Sequence, residues 1–155
     1  MKTNHKTTLH ETRLRFIFSN TKCALGTHEG TLSKFPHADN LPAHRLVCFT
    51  EDNNDHIQLC PNDKLPIGVT YQPGTSTLLP VCIHLLGTSK YTLHIQTSDL
   101  VKAGSLLCSD DDGCVKSVPT TSGQYTCIGI ALTDGQKDDL IEVSTTVPHK
   151  IEIKE

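Results

Sequence analysis

At 155 residues, 36% apolar and 5% aromatic with no tryptophan, the chain can bury one modest, aliphatic core and is most simply a single domain. Its formal charge of −3 is divided unevenly: residues 1–45 carry seven Lys/Arg against three Asp/Glu, and residues 46–155 carry seven against fourteen. An excess of +4 on the first segment is weak for a nucleic-acid partner, and no stretch approaches the ~18 apolar residues of a membrane-spanning helix.

In chain order, residues 1–8 are polar and offer nothing to pack. Leu14-Arg15-Phe16-Ile17-Phe18 predicts a strand that Asn20 ends. Residues 19–44 are rich in Gly, Pro, His and Thr and hold neither the helical nor the strand period, so they read as an extended arm or long loop. From Arg45 onward the strand grammar is regular. Leu46–Thr50 and His56–Cys60 predict a hairpin around the acidic turn Glu51–Asp55. Ile67–Tyr71 follows, then a Pro73-Gly74 turn, then a long apolar strand over Leu78–Leu86 in which Pro80 argues for an edge or a bulge. Tyr91–Gln96 alternates as a strand crossing to the second half, and Ser98–Gly104 is a turn-like link. Leu106 opens the next strand; Asp110–Gly113 turns it into Val115–Val118, and Thr126–Thr133, Leu140–Thr145 and Ile151–Lys154 complete the set. No window repeats apolar residues at three- and four-residue spacing beside a capping box. The expectation is an all-β barrel or sandwich over residues 44–155, preceded by an arm over residues 1–43.

The body reads as two copies of one unit, residues 46–83 and 106–144. Cys48 falls on Cys108, and Ile67-Gly68-Val69 on Ile128-Gly129-Ile130 after a one-residue insertion; Gly74 then falls on Gly135 and Leu79 on Leu140. A duplicated strand-and-turn unit predicts two halves that share a core. Gly68 and Gly129, each inside a strand, predict a bulge or a close backbone approach.

The residues that could carry chemistry do not converge in sequence. Asp110-Asp111-Asp112-Gly113 lacks the alternation of a calcium loop, and the twelfth position is Thr121 where a bidentate Glu is needed, so a hairpin turn is expected. Seven cysteines and nine histidines contain no Cys-x-x-Cys and no His-x-x-x-His pair. His56 and Cys60 would share a strand face with no second pair, and His84 and His94 read as surface histidines. The odd cysteine count, placed largely within apolar strands, reads as reduced thiols in a protein made in the cytosol. No Gly-x-Ser-x-Gly elbow and no phosphate-binding loop is present. Neither a metal nor a cofactor is expected.

Asp99-Leu100-Val101-Lys102-Ala103-Gly104-Ser105-Leu106-Leu107, Asp112-Gly113-Cys114-Val115-Lys116, Ile128-Gly129-Ile130-Ala131-Leu132 and Asp139-Leu140-Ile141-Glu142-Val143 form a series that resembles the small capsid decoration, or cement, proteins of tailed bacteriophages. Arg45-Leu46-Val47 and Pro66-Ile67-Gly68-Val69 extend the likeness more weakly into the first copy, so that it spans roughly residues 44–145. The resemblance implies a barrel-like body, not an enzyme, that binds the outer surface of the assembled major capsid protein and stabilises the shell. It also implies a homo-oligomer, with a trimer favoured, made in the host cytoplasm and carried on the virion, and no nucleic-acid or membrane partner. The arm is then the expected contact with capsid or neighbouring subunit, through Arg13, Leu14, Arg15, Phe16, Ile17 and Phe18. Competing readings are a tail-associated or receptor-binding β module, a trimeric β enzyme such as a nucleotide pyrophosphatase, whose acidic and Gly-rich motifs are missing, and a carrier barrel presenting Lys102 or Lys116, which lack a neighbouring Met.

Overall fold

Ten strands account for the regular structure of the computed structural model, which describes residues 30–154. They are β1 (Thr31–Pro36), β2 (Leu46–Phe49), β3 (His56–Leu59), β4 (Gly68–Thr70), β5 (Val81–Leu85), β6 (Leu93–Gln96), β7 (Leu106–Ser109), β8 (Val115–Ser117), β9 (Gly123–Ala131) and β10 (Leu140–Ile153). Among the described residues the only helical element is a single 3-10 turn at Asp111–Gly113. The protein is all-β, as its alternating patterns require.

The first five strands close a barrel in the order β1-β3-β2-β4-β5, with β5 pairing back to β1. All contacts in it are antiparallel except β1 with β3, where Phe35 and Pro36 run parallel to His56 and Ile57. The second five form a sheet in the order β6-β10-β9-β7-β8, and a parallel bridge from Thr97 to Val115 brings its two edges together. The strand order and directions are those of the first barrel. The duplication therefore covers five strands per copy, and β1 and β6 are equivalent first strands.

Register makes the equivalence residue-specific. Val47 lies opposite Gly68 in one copy and Leu107 opposite Gly129 in the other. Leu41 and Gly74 exchange two backbone hydrogen bonds of 2.8 Å, and Val101 and Gly135 exchange the matching pair at 2.8 and 3.0 Å. Inside the first barrel sit Leu41, Val47, Ile57, Val81 and Ile83. The corresponding places in the second hold Val101, Leu107, Val115, Ile141 and Val143. Burying an aliphatic side chain of this size contributes about 1.5–3 kcal/mol, so these ten positions form the main apolar stabilisation of the two interiors.

Three sequence expectations need correcting. Residues 31–36 are not part of an arm: β1 pairs over Thr31–Lys34 with β5 and closes the barrel. Its alternation is hidden because the inward-facing series Leu32, Lys34, Pro36 has a cation at its centre and ends in proline. Lys34 is accommodated by an ion pair to Asp55 at 3.3 Å and by the Phe49 ring, whose centroid lies 5.6 Å from the ammonium. Leu78 and Leu79 lie outside any strand, and the match of Leu79 with Leu140 slips by one residue, since Val81 corresponds to Ile141. Finally, the last two expected strands are one 14-residue strand, β10. Pro148 falls in the register break between Thr145 and His149, where no ladder donor is needed. The expected strand over Leu14–Phe18 lies outside the described residues.

Candidate interaction surfaces

The two barrels meet through the outer face of the first. Leu46, Cys48, Cys60 and Val69 point away from the first interior, yet all are at most 2% exposed because they join the core of the second barrel. The β7–β8 hairpin tip seals this junction. Gly113, at φ +68°, donates its amide to the Cys60 carbonyl at 3.2 Å, and a Cβ there would lie 3.1 Å from the Leu46 nitrogen and closer still to the Leu46 carbonyl oxygen. Arg45 reaches across, donating from Nη1 to the Asp112 carbonyl at 3.0 Å and to Cys114 Sγ at 2.6 Å. From the other side His44 accepts the Gln96 amide at 3.0 Å while donating its own to Thr70.

The three consecutive aspartates are the tip of that hairpin. Asp110 turns to Ser98 Oγ at 2.6 Å and Lys116 Nζ at 2.8 Å, Asp111 accepts from the Asn62 amide, and Asp112 sits in the left-handed region at φ 56°. Burial raises the Asp110 carboxyl, but hydrogen bonds from Lys116 and Ser98 outweigh it and hold the group below its ordinary value. The three side chains point apart, and among the described residues no group of three or more His, Cys, Asp or Glu is arranged to hold a metal ion.

The six described cysteines carry no disulfide, and five of them are buried. Cys48 and Cys60 are both buried under the second barrel, where Cys48 accepts from the Gln58 side chain at 3.9 Å and Cys60 donates to the Pro61 carbonyl at 3.4 Å. The neighbouring Cys60 thiol leads the effects that bring the Cys48 thiol down to about 7, and the proximity of Cys48 together with burial pushes Cys60 upward. Burial pushes Cys108 up to about 11. Cys82 is exposed.

His44, Tyr71, His84 and His94 make an edge-to-face chain at the rim of the junction, with ring centroids 5.6 to 6.3 Å apart. His56 instead packs on Phe35. Lys102 and Lys116 are both taken up by ion pairs, to Asp134 and Asp110. An open groove of about 440 Å³ runs between the 37–42 loop and β3, but its carboxylate, Asp39, is occupied by the Thr77 amide at 2.8 Å. The expected contact residues Arg13 to Phe18 lie outside the described residues.

What the surface does offer is apolar. Leu106 and Ile130 are register partners on β7 and β9, and Leu132 stands two residues further along the same face; they are 43%, 43% and 44% exposed. Leu78 and Leu79 protrude from the β4–β5 turn of the first barrel. No motif marks these positions in the sequence, where Leu106 and Ile130 look like ordinary core residues of the repeat.

No protein-family model matches the chain, and no curated protein sequence matches it. Among solved structures it is similar to the head fiber gp8.5 N base of bacteriophage phi29, with a TM-score of 0.57 and 16% identity. The match covers 81% of this chain and 97% of that one. At this identity the likeness is one of fold, and it spans nearly the whole of the phage protein's base.

Proposed function

We propose that the protein is a structural component of a bacteriophage virion that attaches to the outside of the head. The observation that carries this reading is the fold: the match takes in nearly all of a head fiber base. The described surface also carries large exposed apolar side chains, Leu106, Ile130 and Leu132 among them, of the kind a docked partner would cover. In this reading the protein is not an enzyme. It binds the major capsid protein as cement proteins do and reinforces the shell, and residues 13–18 supply a contact to capsid or subunit. Several weak attachments on one particle raise the effective affinity without a large single interface.

The test is co-sedimentation of purified protein with undecorated heads and, separately, with isolated tails, followed by heat challenge of the heads. Saturable binding to heads with delayed genome release is the expected result. Binding to tails alone would favour the tail-associated reading, and binding to neither would remove the proposal.

A further inference from the structure

The internal duplication gives the exposed face of the second barrel a buried counterpart in the first. Leu46 and Val69 are paired on the outer side of β2 and β4, and they are 0% and 2% exposed because another barrel of the same fold sits on them. Their equivalents, Leu106 and Ile130, are paired in the same way on β7 and β9 but are each 43% exposed, with Leu132 at 44% beside them. Three large aliphatic side chains side by side on a sheet face are costly to leave in water. The first barrel also has the element that makes the internal junction. Its β2–β3 tip is closed by Thr50 donating to the His56 carbonyl at 3.2 Å, as the β7–β8 tip is closed by Asp110 donating to the Cys114 carbonyl at 2.9 Å. Residues 51–54 of that tip are exposed.

We propose that the β7–β9 face is the seat for the first barrel of a second copy of this chain, docked with its β2–β3 tip toward β7. The contact repeats between chains the junction already made within one. It is heterologous: each copy offers a seat on its second barrel and fills another with its first, so the assembly is a ring if the rotation closes. Attachment to a capsid plays no role in this contact.

The experiment uses the full chain. Light scattering on a sizing column should give a multiple of the 17.0 kDa chain mass, and Leu106→Asp and Ile130→Asp should each reduce it to one chain. Leu78→Asp, on an 82% exposed residue of the first barrel, should leave the multiple intact and controls for added charge. Hydrogen exchange at rising concentration should protect residues 50–55 and 104–106 together. A wild-type mass of one chain, a multiple unaffected by both substitutions, or protection at 104–106 without any at 50–55 would each overturn the proposal. Circular dichroism separates dissociation from unfolding; if the aspartate variants misfold, Leu132→Glu at the edge of the face and the exchange data decide.

Discussion

Gly68 and Gly129 occupy one position in two barrels, and each is pressed against the backbone of the barrel's last strand. A Cβ on Gly68 would lie 2.6 Å from the His84 carbonyl oxygen; on Gly129, where φ is +154°, it would meet the equivalent Ser144 carbonyl oxygen and the Thr145 Cα at 2.9 Å. Neither obstacle is a movable side chain. Gly68→Val and Gly129→Val should each destabilise by roughly 1–3 kcal/mol, with Gly129→Val the worse because its backbone conformation also suits glycine. Urea denaturation checks this, and two variants as stable as the parent would break the equivalence.

Acid should loosen the β7–β8 hairpin through Asp110. Its carboxyl titrates below the ordinary 3.8 in the folded protein. Its contribution is therefore fully present above that value and is lost as pH falls through the folded one. Asp110→Asn should cost about 1 kcal/mol near neutrality and flatten the stability profile below pH 4. Melting temperatures of both proteins from pH 2 to 7 decide it; parallel profiles would show that Asp110 is not the group responsible.

Deleting residues 1–29 should leave all ten strands able to form, because every described pairing lies at or beyond residue 30. Deleting residues 1–43 should not. It removes β1, leaves β3 and β5 with bare edges, and opens the first barrel. Far-ultraviolet circular dichroism and solubility of the two truncations distinguish them, and a stable, monodisperse 44–155 fragment would contradict the barrel closure.

Gly113→Ala should lift the hairpin tip from Leu46, since its Cβ would strike that residue's backbone. The readout is chemical. Cys48 is brought down to about 7, so once uncovered it should alkylate readily near neutral pH. Among the six described cysteines, mass spectrometry after brief alkylation of the native protein should find Cys82 modified in the parent, and Cys82 with Cys48 in the variant. Equal labelling in both would show that the tip does not guard the junction.

The fold was legible wherever one strand face is uniformly apolar. Leu46, Ile57, Val81 and Val115 announce their strands, and the Ile-Gly-Val and Ile-Gly-Ile triplets announce the repeat. The repeat's first strand was not legible in the first copy, because Lys34 stands where the second has Ile95 and the half-buried charge needs Asp55 and Phe49, partners fifteen or more residues away. Nor could the pattern separate Leu46 from Leu106. Both are leucines in equivalent strands, and only the packing of one barrel on the other buries the first and exposes the second. The last strand shows in the sequence as two, Leu140–Thr145 and Ile151–Lys154, for a local reason: the ladder skips the residues around Pro148.

The β1–β5 pairing has a mechanical consequence. Thr31 stands opposite His84, and the Gly30 carbonyl accepts the Leu85 amide at 2.7 Å, so the chain enters β1 beside the place where it leaves β5 for the second barrel. Tension between residues before 30 and the second barrel would pull those two neighbouring points apart. The bonds would then open in succession, as in a zipper, instead of sharing the force as strands drawn lengthwise past each other do. The first barrel would yield at low force while β10, paired with β9 along most of its length, holds the second together. A particle tethered this way would have an extensible mooring, able to lengthen under a tug and re-form when it slackens.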